Sequence, residues 1–150
     1  MKKIYSISMA IIVLLGFGGC AKGPQFTEFK KPNKDEANLY VYRKINVLMG
    51  GHNLNKPDIH QINTGTHEDD VLPQLQAGGY IMQTLKPGEY QFWAQTEARN
   101  EVNLKIEPNK IYCIQHYFTL GFLVPHPQFE LQDLSKCETE IKDTKLSLQD

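Results

Sequence analysis

The side chains of this sequence that are best suited to covalent chemistry are the thiols of its three cysteines. Cys20 directly follows Gly18 and Gly19, which are small enough to let an extended chain enter a peptidase cleft, and its thiol can take a diacylglycerol group. Cys113 and Cys137 remain as a pair that forms a disulfide in an oxidising compartment or stays as two free thiols. Neither belongs to a Cys-x-x-Cys motif, so a thioredoxin-type redox role is not expected.

Histidines and carboxylates are the residues that could bind a metal ion. The five histidines are His52, His60, His67, His116 and His126. His60 and His67 flank a stretch that continues into the acidic run 68–70, and histidine with carboxylate suits several metals. No two histidines have the i, i+2 or i, i+4 spacing of a preformed site. We therefore interpret the run as a solvated loop and expect no metal site.

Catalytic chemistry finds no support in the residue spacing. Cys113 and His116 are three residues apart on a predicted strand and point to opposite faces, so they cannot act as a dyad. His116 is interpreted as a satisfied core or sheet-face residue. The chain has no Gly-x-Ser-x-Gly motif. We therefore expect neither an enzyme nor a cofactor.

Four side chains on predicted strands could form a binding surface. Trp93 is the only tryptophan and lies opposite the Tyr90 face of its strand, so it either anchors an interface or packs under a C-terminal helix. Arg43 either clamps an acidic ligand or caps the edge of the core and pairs with a carboxylate. A pocket that gathered these residues with Tyr80 would indicate a small ligand. The apolar stretch 120–125 is a further candidate: exposed, it suits a partner or a membrane surface, and folded inward it is core.

The elements that position these residues are mostly strands. The predicted strands are 39–43, continued by 45–49, then a short strand at 59–62, and 79–85, 90–95, 101–106, 111–120 and 128–132. A type II turn is expected at Pro87 and Gly88. Residues 134–145 have the apolar spacing of a short amphipathic helix. The fold class is therefore all-β, an antiparallel β-sandwich with a short C-terminal helix.

The first 19 residues have the three-part layout of a secretory signal. Lys2 and Lys3 are followed by the mostly apolar stretch 4–15, which is too short for a comfortable membrane span. The segment resembles the lipobox of bacterial lipoproteins, although Phe17 stands where the pattern places leucine or another aliphatic residue. The resemblance implies cleavage between Gly19 and Cys20 and lipidation of Cys20.

Where the mature chain resides follows from the same resemblance. It implies a cell-envelope protein attached to the membrane by lipid on Cys20. Ala21, in place of aspartate, favours the outer membrane, facing the periplasm, if the host is Gram-negative. The formal net charge is −1 and becomes −3 when Lys2 and Lys3 leave with the signal. A mildly acidic domain is not expected to bind nucleic acid.

The mature chain divides into a linker and one domain. Glycine, proline and charged residues fill 20–36, which we interpret as the lipidated N-terminus and a tether, although Phe26 and Phe29 are apolar enough to dock onto the domain. Residues 37–146 form a single β-sandwich domain. A composition of 41% hydrophobic and 22% charged residues is typical of a folded domain.

Three short motifs, in this order, resemble one family. They are Leu39-Tyr40-Val41-Tyr42-Arg43, Gly78-Gly79-Tyr80 and Leu85-Lys86-Pro87-Gly88-Glu89-Tyr90. Over about residues 35–145 the chain resembles the bacterial domain-of-unknown-function family 2846, whose members look like small envelope lipoproteins. The Pro-Gly turn also resembles that of transthyretin-like and PEGA-type sandwiches. These resemblances imply a non-enzymatic interaction or assembly module with an envelope protein as partner. The alternative is a binding module for a small envelope ligand, a glycan or a metal.

Overall fold

A computed structural model describes residues 20–45 and 56–148 of the chain. These residues form two β-sheets and one short helix, which confirms the predicted all-β sandwich. The elements are β1 Ala37–Arg43, β2 His60–Asn63, β3 Glu68–Val71, β4 Gly79–Leu85, β5 Gly88–Gln95, β6 Arg99–Ile106, β7 Ile111–Thr119, β8 His126–Leu131, α1 Leu134–Ile141 and β9 Lys145–Leu146. The predicted signal peptide 1–19, with Gly19, and the predicted strand continuation at 46–49 lie outside the described residues.

The two sheets differ in size and in strand direction. The first sheet has the order β8-β7-β1-β4-β9, and the second has the order β3-β2-β5-β6. All pairs in the second sheet are antiparallel. In the first sheet, β1 pairs with β7 in parallel, as does β4 with β9, so this sheet is mixed and not purely antiparallel as predicted.

The main core lies between the sheets. Because side chains alternate along a strand, Leu39 and Val41 of β1 point inward and pack with Phe92 of β5. Tyr40 and Tyr42 point the other way and are also buried, at 2% and 0% exposure. They belong to an outer cluster on the far face of the first sheet. Its members are Phe26, Tyr40, Tyr42, Cys113, Cys137 and Ile141.

The stretch 20–36 is packed on the domain and is not the free tether that its composition suggested. The Phe26 amide donates to the Thr144 carbonyl at 3.0 Å, and the Phe26 ring is 4% exposed. It meets the rings of Phe29 at 5.1 Å and Tyr80 at 5.5 Å, both edge to face. Burial of these aromatic rings outweighs the freedom that glycine and proline give the backbone. The docking expected for Phe26 and Phe29 is therefore present.

Three local predictions were wrong. Residues 68–70 are not a loop but most of the exposed edge strand β3. The helix ends at Ile141, and Lys145 starts β9, where it pairs with Gly79. Gly88 lacks the positive φ that a type II turn requires and instead begins β5.

One end of the sandwich holds Cys20 and the ends of several strands, and we call it the Cys20 end. β1 and β7 finish there and β4 begins there, since Arg43 pairs with Gly79 and Tyr42 with Gln115. At the opposite end lies the turn at Lys86 between β4 and β5. Among residues 20–45 and 56–148, no helix has the length and hydropathy needed to cross a membrane.

Candidate functional site

Cys20 lies exposed at the edge of the first sheet. It forms an isolated parallel bridge with Ala77, and the Ala21 amide donates to the Ala77 carbonyl at 3.1 Å. Ala21 itself is 7% exposed. The next residues continue along β9, where the Gly23 amide donates to the Leu146 carbonyl at 3.0 Å. No free linker therefore separates Cys20 from the domain.

The apolar stretch after β7 is exposed, which settles the alternative left open by its composition. Three side chains of this stretch are nearly free of protein contact, and we call them the apolar loop: Leu120 (84% exposed), Phe122 (94%) and Leu123 (80%). Its backbone turns sharply at Gly121, where a Cβ atom would collide with the Val124 carbonyl. Only glycine fits this close approach.

Side chains from elsewhere in the chain hold the apolar loop in place. The carboxylate of Glu97 accepts the Leu123 amide at 3.1 Å and lies 3.2 Å from Nε2 of His126. These hydrogen bonds, above all that of the Leu123 amide, hold the pKa of Glu97 below its usual value. The Thr96 hydroxyl donates to the Pro125 carbonyl at 2.9 Å. The loop is thus braced by the β5–β6 turn.

Arg43 lies at the same end and faces the interior of the sandwich. Its guanidinium carbon is 4.6 Å from the centre of the Phe118 ring, a cation–π contact. Burial lowers its pKa, and Cys20 is near enough to act on it electrostatically. Within residues 20–45 and 56–148, no carboxylate forms a salt bridge with Arg43. It therefore caps the core through an aromatic ring and not through the expected ion pair.

Trp93 lies on the outer face of the second sheet, far from α1, which packs against β7 of the first sheet. His60 of β2 stacks on its ring with centroids 3.9 Å apart, and the Arg99 guanidinium of β6 lies 4.2 Å from the ring centre. Because β2 and β6 flank β5 on opposite sides, both ring faces are in use. The indole N–H is buried and has no acceptor among the described residues.

The two tyrosine candidates have structural roles. The Tyr90 ring is 6% exposed in the main core, and its hydroxyl donates to the Lys86 carbonyl at 3.1 Å. Tyr80 packs in the outer cluster against Phe26. Burial raises the pKa of both hydroxyls. Arg43, Tyr80, Tyr90 and Trp93 thus lie in four different environments and do not form one surface.

The histidines do not converge either. Nδ1 of His60 lies 3.1 Å from the Asp69 carboxylate across β2 and β3. His116 is 2% exposed between Phe118 and Phe129, and its Nδ1 lies 3.0 Å from the Gln128 carbonyl. Burial, together with the charge of Arg43, lowers its pKa to about 4. In the described part of the chain, no three His, Cys, Asp or Glu residues are close enough to hold a metal ion.

Cys113 and Cys137 are joined by a disulfide that ties β7 to α1. Both residues are fully buried, at 0% exposure, in the outer cluster. Beside them the Tyr42 hydroxyl donates to the Glu140 carboxylate at 2.6 Å, and Lys44 lies 3.3 Å from the same carboxylate. Helix α1 is thus fixed covalently near its middle and by a charged hydrogen bond near its end.

The residues that brace the apolar loop were not found by sequence reasoning. Glu97 and Thr96 fall in a polar stretch with no distinguishing motif, about 26 residues before the loop they hold. Only the antiparallel pairing of β5 and β6 brings them to the Cys20 end. No signal in a single sequence identifies such a brace.

Comparison of the chain with protein-family models, with curated proteins and with solved structures found no match.

Proposed function

We propose that this chain is a lipid-anchored cell-envelope protein whose β-sandwich acts as a non-enzymatic interaction or assembly module. The observation that carries the proposal is the position of Cys20. The signal-like residues end at a cysteine that is exposed, while the very next residue, Ala21, is 7% exposed and hydrogen-bonded to the domain. A peptidase and an acyl donor can reach Cys20, and the folded domain starts directly behind it.

Lipid on Cys20 would hold the domain against the membrane surface. Two or more acyl chains anchor a protein stably in a leaflet, whereas one chain binds only marginally. Because residues 21–26 lie along β9, the anchored sandwich stands with its Cys20 end at the lipid headgroups. In a Gram-negative host, Ala21 after the cysteine favours the outer membrane, with the domain in the periplasm.

The outer face of the second sheet is the best surface for an envelope protein partner. The first sheet is covered on its outer face by α1 and the N-terminal segment, whereas among residues 20–45 and 56–148 no element covers the outer face of the second. Tryptophan and arginine, the residue types of Trp93 and Arg99, are both enriched at binding hot spots. Around them Gln91, Glu101 and Asn103 form an exposed network of side-chain hydrogen bonds of 3.2 Å. Such a polar rim around an aromatic centre is typical of protein interfaces.

A small-ligand site receives less support from the geometry. A sugar would stack on a free aromatic face, yet both faces of Trp93 are covered by His60 and Arg99. A cleft of about 640 Å³ opens at the end opposite Cys20, between residues 33–36 and Lys86. None of the four candidate binding residues lines it.

Two experiments test the proposal. Cell fractionation tests the lipid anchor, and photo-crosslinking from one position on each sheet tests the interaction face. We expect the wild-type protein to fractionate with membranes and Cys20→Ser to accumulate as uncleaved precursor. A photo-crosslinking residue at Gln91 should capture an envelope protein, Trp93→Ala should abolish that product, and a crosslinker at exposed Tyr117 of the first sheet should give none. A Cys20→Ser chain that matures and stays membrane-bound contradicts the anchor. Equal capture from positions 91 and 117 contradicts the interaction face.

A further inference from the structure

We propose that the apolar loop Leu120, Phe122 and Leu123 inserts into the lipid bilayer beside the acyl chains of Cys20, so that the domain is held at two points. This inference rests on the lipid anchor proposed above. It adds a second membrane contact and a fixed orientation, neither of which follows from lipidation alone.

The apolar loop exposes an unusual set of side chains. Two leucines and a phenylalanine with 80–94% exposure lie within four residues. Scattered single apolar residues are normal on a protein surface, but contiguous ones mark sites that contact a partner or a membrane. Phenylalanine and leucine are also the side chains that interfacial anchors bury among headgroups and upper acyl chains.

The apolar loop and Cys20 lie at the same end of the molecule. Gly79, which begins β4, pairs with Arg43 at the end of β1, and a Cβ atom built on Gly79 would lie 3.0 Å from the side chain of Ala21, the residue after Cys20. Continuing the register of β1 with β7 places Ile45 opposite Phe118, two residues before Leu120. A Cβ atom at Gly78 would lie 2.8 Å from the Ile45 side chain, which confirms that these segments are adjacent.

The lateral distance is short as well. β7 and β4 lie on either side of β1, so the strand that leads into the apolar loop is two strand spacings, about 10 Å, from Gly79, beside which Ala21 packs. Ile45, which is 53% exposed, lies between the two points. The acyl chains on Cys20 enter the bilayer without an intervening linker. An apolar loop that leaves β7 about 10 Å from that point, at the same end of the sandwich, must then meet the same bilayer surface.

The brace keeps the apolar loop extended toward that surface. Glu97 holds the Leu123 amide, and Thr96 holds the Pro125 carbonyl. These contacts satisfy backbone groups that would otherwise have to keep water. The loop can therefore enter an apolar layer without folding back onto the core.

A bilayer fits this loop better than a protein partner does. A protein bound over the loop would have to occupy the narrow space between the domain and the leaflet in which Cys20 is anchored. The outer face of the second sheet, by contrast, stands free of the membrane in this orientation. Protein contact at the loop is nevertheless an outcome that the experiment below would detect.

Spin labelling of the full-length protein, purified from membranes without reductant, tests the insertion. Phe122→Cys, Leu120→Cys and Lys86→Cys variants each present one free thiol, because Cys20 carries lipid and the other two cysteines are bridged. The labelled proteins are reconstituted in vesicles of phosphatidylethanolamine and phosphatidylglycerol. Collision of each label with oxygen, which concentrates in bilayers, is compared with collision with a water-soluble nickel chelate. Intact mass reports lipidation in the same samples.

We expect labels at positions 122 and 120 to collide mainly with oxygen and the label at position 86, at the opposite end, mainly with the chelate. Chelate-accessible labels at all three positions of a lipidated protein overturn the insertion and leave the anchored module intact. Labels at 120 and 122 that are shielded from both reagents show a protein contact and also overturn it. A chain without lipid, which takes a second label at Cys20, overturns the proposed function and this inference together.

Discussion

Reduction of the Cys113–Cys137 disulfide should destabilise the domain by a defined amount. The bridge has a sequence separation of 24 and closes a loop of about 25 residues. Closing such a loop in the unfolded chain lowers its entropy, which stabilises the folded state by about 3.5 kcal/mol. For a domain of this size, that difference corresponds to a fall of about 10 °C in Tm.

The assay is thermal unfolding of protein refolded with and without reductant. Both cysteines are fully buried, so the protein must be unfolded before reduction. Reduction keeps every side-chain atom, which separates the loss of the cross-link from the loss of packing. A Cys113→Ala/Cys137→Ala variant serves as control, because its Tm should not respond to reductant. A wild-type shift below about 2 °C would show that the bridge does not constrain the unfolded chain.

Three further predictions follow from buried contacts. The pKa of His116 is about 4 in the folded state and 6.5 in the unfolded chain, so the unfolded state takes up a proton first as pH falls. The free energy of unfolding should therefore drop by about 3 kcal/mol between pH 6.5 and 4. Chemical denaturation at several pH values measures this drop, and the His116→Phe variant should not show it. Tyr42→Phe removes the 2.6 Å hydrogen bond to Glu140 and should cost about 1.5 kcal/mol in urea unfolding, whereas Tyr117→Phe on the surface should cost nothing measurable. Phe26→Ala empties the site that holds the N-terminal segment, so it should lower the free energy of unfolding by about 3 kcal/mol and expose residues 20–30 to protease. Phe122→Ala, the control, should change the stability by less than about 0.5 kcal/mol. Equal effects of the two substitutions would contradict the packing of the N-terminal segment.

The strands were predictable where burial on one face leaves an alternating pattern. The pattern of β5 and β6 is visible because Tyr90, Phe92 and Leu104 point into the core and alternate with residues that point outward. β3 was missed because its residues are exposed on both faces, so backbone pairing with β2 defines it without any apolar pattern. The parallel pairing of β1 with β7 was missed for another reason, since register between distant strands is a tertiary property.

The candidate site was predictable only in parts. The apolar composition of 120–125 marked a segment of interest, but its exposure depends on the turn at Gly121 and on Glu97, which the fold brings to it. The four aromatic and basic candidates were chosen by residue type. Residue type does not say on which face of which sheet a side chain lies, and Tyr80 and Tyr90 proved to be packing residues.

The N-terminal segment shows how composition can mislead. Glycine, proline and charged residues make up most of 21–36 and indicated a linker. Phe26 nevertheless finds a site between Tyr40 and Tyr80, and the backbone beside it pairs with β9. The aromatic rings of this segment and its backbone hydrogen bonds together bind it to the domain, so no slack remains between Cys20 and the sandwich.

The intact mass of the protein, extracted from membranes of its host without reductant, tests the lipid anchor most directly. We expect a chain that starts at Cys20, carries a diacylglyceryl group and has two fewer hydrogens because Cys113 and Cys137 are bridged. A bare chain, or one that still contains residues 1–19, would contradict the lipid anchor on which the proposed orientation and function depend.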